Sequence, residues 1–509
     1  MSLACDTGMG LPLETGLATC LVAVEIAKAA GLTGSELDRT YRLAMLQHIG
    51  CTAVASENAA IMGDELVLRE HSPLLDLSDN REMFRFILGH VARVNPAAAR
   101  PMALFRAIAG GRRLMATADD VCEAGRMLGR RCGYDPAWLV DLERVYECWD
   151  GSGVPGGLSA DDIPVPVQVV QVAALAVNAE HILDREAAAA LVRTRGGHTL
   201  SPAVVEVFLS DPDGFLSVTE HPTTLFEAVL EAEPDPGGLP TPVDVEEALS
   251  AIADFADLNA PFMAGHSSGV ARLAGAAASA YGLHRDEAVK VRWAGYVHDV
   301  GRVSVSASTW NATGALRPEQ REQIRMHPYY TQRVLDRVPF LQPLSDIASS
   351  HHERLDGSGY YRRSTGPSLS APARILAAAD TYQTKLEPRP HRPAVDADAA
   401  AAHLRAEVAA GRMDDLAVEA VLAAAGPPRR AAHSRLTPRE IEILVAAARG
   451  GSMREVARDL GIAPKTVDGH LQRIYPKIGI STRAGATLYA LEHGLLPAAV
   501  RSDVGENSP

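Results

Sequence analysis

The chain has 509 residues, 47% apolar and 22% charged, with aromatics at 5% and a net charge of −14. That length predicts about three domains, and abundant Ala with few aromatics favours helices over sheets. The acidic balance excludes a protein that coats nucleic acid along its whole length, and no run of about 18 uncharged apolar residues predicts a membrane span.

The start, Met1-Ser2-Leu3-Ala4-Cys5-Asp6, has neither a basic region nor a long apolar core, so no signal peptide is expected. All six Cys (5, 20, 51, 122, 132 and 148) fall in the first 150 residues without a CxxC pair. Reduced thiols in cytosol are the expectation.

Two Pro/Gly-rich stretches divide the chain. Glu231–Pro242 (EAEPDPGGLPTP) cannot continue a helix, and Gly426–Ser434 (GPPRRAAHS) breaks the chain again. The expected boundaries are 1–230, a linker 231–243, 244–425, a linker 426–433, 434–497 and a frayed tail 498–509.

The two large pieces repeat each other. At an offset of 251, Leu46-Gln47-His48-Ile49-Gly50 falls on Val297-His298-Asp299-Val300-Gly301. At an offset of 206, Asp150-Gly-Ser-Gly153 falls on Asp356-Gly-Ser-Gly359. The first copy therefore carries about 45 extra residues, expected within 55–140.

In the second copy Val270, Leu273, Ala274, Ala277 and Tyr281 repeat at helical spacing, and His266 shares their face. By position alone that His would be a core residue. His298-Asp299, His327, His351-His352 and Asp380 change the balance, because so much polarity in apolar helices needs a common partner. Adjacent donors on one helix point about 100° apart. Seven imidazole and carboxylate donors suit two divalent cations, with Asp299 bridging.

This stretch resembles the HD-GYP branch of the HD phosphohydrolases. His298-Asp-Val-Gly-Arg302 is similar to its HDxGK motif, and His351-His-Glu-Arg-Leu-Asp-Gly-Ser-Gly-Tyr-Tyr361 to HHExxDGxGYP. Ala379-Asp-Thr-Tyr-Gln-Thr384 and Arg389-Pro-His-Arg-Pro393 match its later ADxYDA and RPYRP stretches. The resemblance covers about 255–425.

It implies a phosphodiesterase acting on a nucleotide, c-di-GMP first, by metal-assisted attack of water on phosphorus. Its ligand set maps onto His266, His298, Asp299, His327, His351, His352 and Asp380. Catalytic roles fall to His298, Asp299 and Arg302, and substrate contacts to Arg302, Tyr360, Arg389 and Arg392. The cations are expected to be iron or manganese, with zinc, magnesium, nickel and cobalt as alternatives.

Four departures bear on substrate. Arg302 replaces a Lys and has a different shape. Tyr361 replaces the Pro of GYP, and Gln383 replaces an Asp. Phe262 stands where members with three metals have a Glu, which implies two. A metal-binding nucleotide sensor with weak turnover is the alternative reading, as is another nucleotide substrate. The first copy has Thr15, Gln47-His48, Val145-Tyr146 and Ala174 at the ligand positions, so it is expected to be a metal-free copy of the same fold.

The last module is basic. From Arg435 to Leu496 it has nine Lys/Arg and six Asp/Glu, leaving −17 on the rest. Thr437 and Glu440 predict a capping box with Pro438 at the first helical position. Met453–Leu460 and Pro464–Tyr475 predict two further helices around a Gly461-Ile-Ala turn, with at most a kink at Pro476. Val467, Leu471, Ile474 and Tyr475 form the inner stripe.

The block resembles a LuxR-type domain through Leu436-Thr-Pro-Arg-Glu-Ile-Glu-Ile-Leu444 and Thr466-Val-Asp-Gly-His-Leu-Gln-Arg-Ile-Tyr-Pro-Lys-Ile-Gly-Ile480. It implies DNA binding as a dimer, with Lys465, Thr466 and His470 at the groove and Arg473 and Lys477 on phosphates. The expected whole is all-α: two tandem HD-domain bundles and a small helix-turn-helix. The expected protein is a cytoplasmic transcription regulator and homodimer that meets DNA and a nucleotide second messenger but no membrane.

Overall fold

The computed structural model describes residues 1–76, 79–94, 100–220, 224–236, 244–425 and 436–496. Part of the first expected linker (237–243), all of the second (426–433) and the tail 498–509 lie outside them. The described residues form helices, short 3-10 turns and isolated bridges, with no strands. Two compact units result: Met1–Ala251 with Val303–Ser308, and Ile252–Arg302 with Thr309–Pro509.

In the first unit, α1 (Ser2–Gly8), α2 (Thr15–Ala29) and α3 (Gly34–Leu46) precede two long helices, α4 (Asn80–Val94) and α5 (Arg100–Arg131). The last two fall in the region of the extra residues. They close over a small core of their own, in which Val91, Ala103 and Ala107 meet Met62 and Leu68. Helix α6 (Val165–Ile182) packs on α2 and α3. It is long and apolar enough to cross a membrane by length and composition, yet most of it is buried. Val167, Val169, Val172 and Ala176 are fully enclosed, as in a core helix.

The second unit is built on α8 (His266–Tyr281). It packs against α9 (Arg285–Val297), α12 (Ala371–Leu386) and α13 (Asp415–Ala424). Val270, Ala274 and Ala277 are fully buried there, on the expected stripe. Helices α10 (Pro318–Leu335) and α11 (Gln342–Ser349) complete the bundle, and α7 (Val245–Asp257) leads into it. The C-terminal module adds α14 (Pro438–Ala448), α15 (Met453–Asp459), α16 (Pro464–Ile478) and α17 (Arg483–Glu492). Its capping box forms as expected, with Glu440 N bonded to Thr437 Oγ1 and Thr437 N to Glu440 Oε2. Helix α16 passes Pro476 and ends at Gly479, which takes the left-handed conformation at φ 72°. A helix stops more easily on a residue with no Cβ than on a Pro whose missing N–H falls in the last turn.

The same local devices recur in both units. Asp6 accepts from Glu14 N and Gly16 N at 2.9 Å, and Asp257 accepts from Ser267 N at 3.0 Å and Ser267 Oγ at 2.7 Å. The residue before α2, Glu14, and the one before α8, Gly265, are both left-handed, at φ 79° and 82°. Asp150 accepts from Ser152 N at 2.9 Å, and Asp356 from Ser358 N at the same distance. A Cβ on Gly153 would meet Glu147 Cα at 2.5 Å, and one on Gly359 would meet Glu353 Cα at 2.5 Å. The Asp-Gly-Ser-Gly run is therefore a turn that only this composition fits.

Asp257 has a pH signature. Burial lifts its carboxyl to about 7, against the opposing pull of His266 and Ser267. A carboxyl raised on folding gives stability that is complete at low pH and is lost as pH rises through the folded value. Chemical denaturation of the full chain from pH 4 to 8 should show Asp257→Asn flattening a decline of up to about 4 kcal/mol. A variant profile parallel to wild type would contradict this placement.

Candidate metal centre and nucleic-acid interface

Four imidazoles in the second unit share one orientation. His298 Nδ1 lies 2.8 Å from Gly295 O, His327 Nδ1 2.6 Å from Ile324 O, and His351 Nδ1 2.6 Å from Ala348 O. A carbonyl only accepts, so each Nδ1 carries the proton and donates it. His266 Nδ1 donates to Glu387 Oε2 at 2.8 Å. His298, His327 and His351 are thereby left with an Nε2 lone pair facing inward, the arrangement that outer partners impose on ligating histidines.

These nitrogens converge on the Asp299 carboxylate. Asp299 Oδ2 lies 3.1 Å from His298 Nε2 and 3.5 Å from His266 Nε2. Asp299 Oδ1 lies 3.2 Å from His327 Nε2 and 3.5 Å from His351 Nε2. Asp380 Oδ1 approaches His266 Nε2 at 3.3 Å, and its Oδ2 lies 3.8 Å from His352 Nδ1. All seven sequence-predicted ligands are thus brought together. They form three overlapping triads with ligand atoms within 4.8 Å: His266, His298 and Asp380; His298, Asp299 and His351; His327, His351 and His352.

Two observations fit cations here. His266 Nε2, His298 Nε2 and both Asp299 oxygens are buried with no aligned hydrogen bond, despite their short separations. Groups that face one another without alignment point at a common centre, and burial without a partner is costly. The charges also match. Burial pushes Asp299 and Asp380 up, yet Arg302 and the imidazoles for Asp299, and His266, His352 and His351 for Asp380, outweigh it and hold both well below the carboxylate range. Burial pulls His266 down, but Glu387, Asp299 and Asp380 hold it well above the ordinary histidine value. Burial lowers His327 to about 4, which keeps it neutral and able to ligate.

The predicted substrate residues divide. Arg302 Nη2 lies 2.7 Å from Asp299 Oδ2, and its guanidinium covers the Trp310 ring. It is spent on the carboxylate. Tyr360 lies at the rim, with its ring centroid 4.7 Å from that of His352 and Arg325 above it at 5.6 Å. Arg389 pairs with Glu387 at 3.1 Å. Arg392 gives its donors to the backbone carbonyls of Thr384, Lys385, Glu387 and Pro393, so it fastens the loop and is not brought to the cluster. Tyr361 donates to Gln332 Oε1.

Sequence reasoning missed Glu387. It joins His266, Arg389 and the Gln383 amide, whose Nε2 donates to Oε1 at 2.7 Å. Its signal is its place seven residues after Asp380, two helical turns on along α12 and just past its end.

The C-terminal module buries Val467, Leu471 and Ile474 against α14 and α17, as the inner stripe predicts. Lys465, Thr466 and Arg473 are exposed on α16, with His470 half-buried beside them. Lys477 Nζ sits 2.6 Å from Glu440 Oε1, so the capping carboxylate already holds it. Lys477 and the Thr437 cap together pull Glu440 down to about 2.

Comparisons agree with the fold and with both domains. Residues 250–416 match the family described as HD domain, and residues 434–490 match bacterial regulatory proteins of the luxR family. The chain therefore carries an HD domain joined to a LuxR-type DNA-binding domain. It is 25% identical to the 3'3'-cGAMP-specific phosphodiesterase 3 of Vibrio cholerae over 79% of this chain and 88% of that protein. It is 33% identical to the cyclic di-GMP phosphodiesterase response regulator RpfG of Xanthomonas campestris over 30% of this chain and 41% of that one. A crystal structure of a cyclic GMP-AMP-specific phosphodiesterase from V. cholerae aligns over 84% of this chain and 97% of its own, with a TM-score of 0.53 and 19% identity.

Two outcomes check these placements. Glu387→Gln should weaken Mn(II) binding to the full chain by about tenfold, the usual effect of losing an outer partner; unchanged affinity would remove Glu387 from the site. Arg473→Ala should lower the slope of log affinity against log salt for duplex DNA by about one. Lys477→Ala should leave that slope unchanged.

Proposed function

We propose that this chain is a cytoplasmic transcription regulator whose HD domain holds two divalent cations and hydrolyses a cyclic dinucleotide. One observation carries the reading: the two oxygens of Asp299 face two different sets of imidazoles, His266 with His298, and His327 with His351. With these imidazoles, His352 and Asp380, Asp299 would hold the cations. The ligands support iron or manganese. Bound cations would supply Lewis-acid polarisation of a phosphoryl oxygen and activation of water.

The chain's own residues prepare that chemistry. Arg302 holds Asp299 ionised and fixed, and the i−3 carbonyls hold the imidazoles in one tautomer. Tyr360 and Arg325 offer a flat ring and a cation at the rim, a pairing suited to a base and a phosphate. The relative that spans both units is named for 3',3'-cGAMP, which moves that nucleotide ahead of c-di-GMP. The first unit serves as a degenerate copy and scaffold, supported by its matching Asp6 cap and Asp150 turn. The LuxR-type domain binds DNA as a homodimer and couples nucleotide level to transcription.

The second reading, a sensor with negligible turnover, draws on Arg302, whose guanidinium is committed to Asp299. Freshly purified, Mn-loaded protein incubated with 3',3'-cGAMP and c-di-GMP decides between them. We expect about two cations per chain and a linear dinucleotide product, both lost in His298→Ala and Asp299→Ala. Cation binding without product supports the sensor, and less than one cation per chain defeats both.

A further inference from the structure

Helices α4 and α5 lie in the region of the first unit's extra residues, and neither the metal centre nor the DNA-binding module uses them. From Asn80 to Arg113 the chain has seven Arg and one Glu, a charge of +6 in a chain of −14, which leaves −20 on the rest. Each helix has two faces. The inner faces close the small core, with Ile87 and Val91 from α4 and Ala103, Leu104 and Ala107 from α5. His90 Nε2 adds a contact of 3.2 Å to Met62 O on the same side. The outer faces repeat one helical spacing. On α4, Arg81, Phe84, Arg85 and Leu88 stand at i, i+3, i+4 and i+7, and all are exposed. On α5, Met102, Phe105, Arg106 and Ala109 do the same. Phe84 is 50% and Phe105 67% exposed, and four of the eleven exposed large apolar side chains among the described residues fall in these two stripes. Among the described residues Arg81, Arg85 and Arg106 enter no ion pair, whereas Glu82, the one acid of the stretch, faces Arg195 at 3.4 Å.

Large apolar side chains massed on a surface mark a place of interaction, and the guanidiniums set among them give the partner's charge. A nucleic-acid backbone would take the guanidiniums but gains nothing from Leu88 and Met102. A second copy laid on the same two stripes would set Arg against Arg. An anionic phospholipid surface satisfies both kinds of residue. Phe, Leu and Met enter the boundary between headgroups and acyl chains, while Arg extends its charged end to the phosphates. We propose that α4 and α5 are a docking surface for anionic phospholipid, through which the first unit attaches the protein to the face of a membrane. Such helices lie in the plane of the headgroups and need no spanning length. This surface is independent of the metal centre, and neither reading depends on the other.

The test sediments the full-length protein with vesicles of phosphatidylcholine alone, or of phosphatidylcholine and phosphatidylglycerol in equal parts. Binding is expected to the mixed vesicles only, and it should weaken as salt rises. Arg85→Gln should lower vesicle affinity about fivefold, and Arg85→Gln with Arg106→Gln about twentyfold. Arg85→Lys keeps the charge and should retain most of the affinity. Phe105→Ser should lower it on the order of tenfold, the loss of one buried aromatic ring. These side chains are exposed, so helical circular dichroism and affinity for duplex DNA should match wild type in every variant. Absence of binding to the mixed vesicles overturns the proposal, and so does equal binding to both kinds of vesicle. Loss of duplex-DNA affinity in the double Arg variant, without vesicle binding by the wild type, overturns it in favour of nucleic acid. A dimer in lipid-free buffer that Phe105→Ser dissociates overturns it in favour of a second copy.

Discussion

The second unit is organised around an ionised carboxylate that has been taken out of water. Asp299 is fully buried, and a lone carboxylate in that position would protonate rather than stay charged. Arg302 offsets part of its charge at 2.7 Å, and four imidazole nitrogens stand within 3.5 Å of its oxygens. The i−3 carbonyls that hold three of the rings have an acceptor to offer: Gly295 and Ala348 lie in the last turns of their helices, and Ile324 stands four residues before Pro328, which has no N–H.

The Asp-Gly-Ser-Gly turn shows how a family signature mixes two kinds of constraint. In the second unit it follows His351 and His352, the adjacent imidazoles of the cluster. The first unit has Val145 and Tyr146 there, yet the turn geometry is retained, with the same Asx bond and the same close approach at its last Gly. The turn is a backbone necessity, and the chemistry lies in the residues before it. The same separation holds at the head of α2 and α8. The Asp6 and Asp257 caps persist, while the residue they position changes from Thr15 to His266.

Much of this was legible along the chain. The helices of the LuxR-type module follow from their apolar period and from the capping box of Thr437 and Glu440. The seven clustered residues could be named because they are spaced among apolar residues, where charge has no use without a partner. Glu387 could not be named that way, because a Glu after a helix is ordinary until the fold brings it 2.8 Å from His266 Nδ1. Arg392 and Lys477 are engaged within the chain. A cation in a basic stretch reads as a ligand contact, but a loop's carbonyls take the first and a helix cap takes the second.

The sequence by itself determined the all-helical class and the HD and LuxR-type motifs, since each depends on residue type at a fixed local spacing. Tertiary structure decided which oxygen of Asp299 faces which imidazoles, that Arg302 pairs with that carboxylate, and that Glu387 stands behind His266. Those facts depend on distances between residues far apart in the chain, and local periodicity carries no information about them.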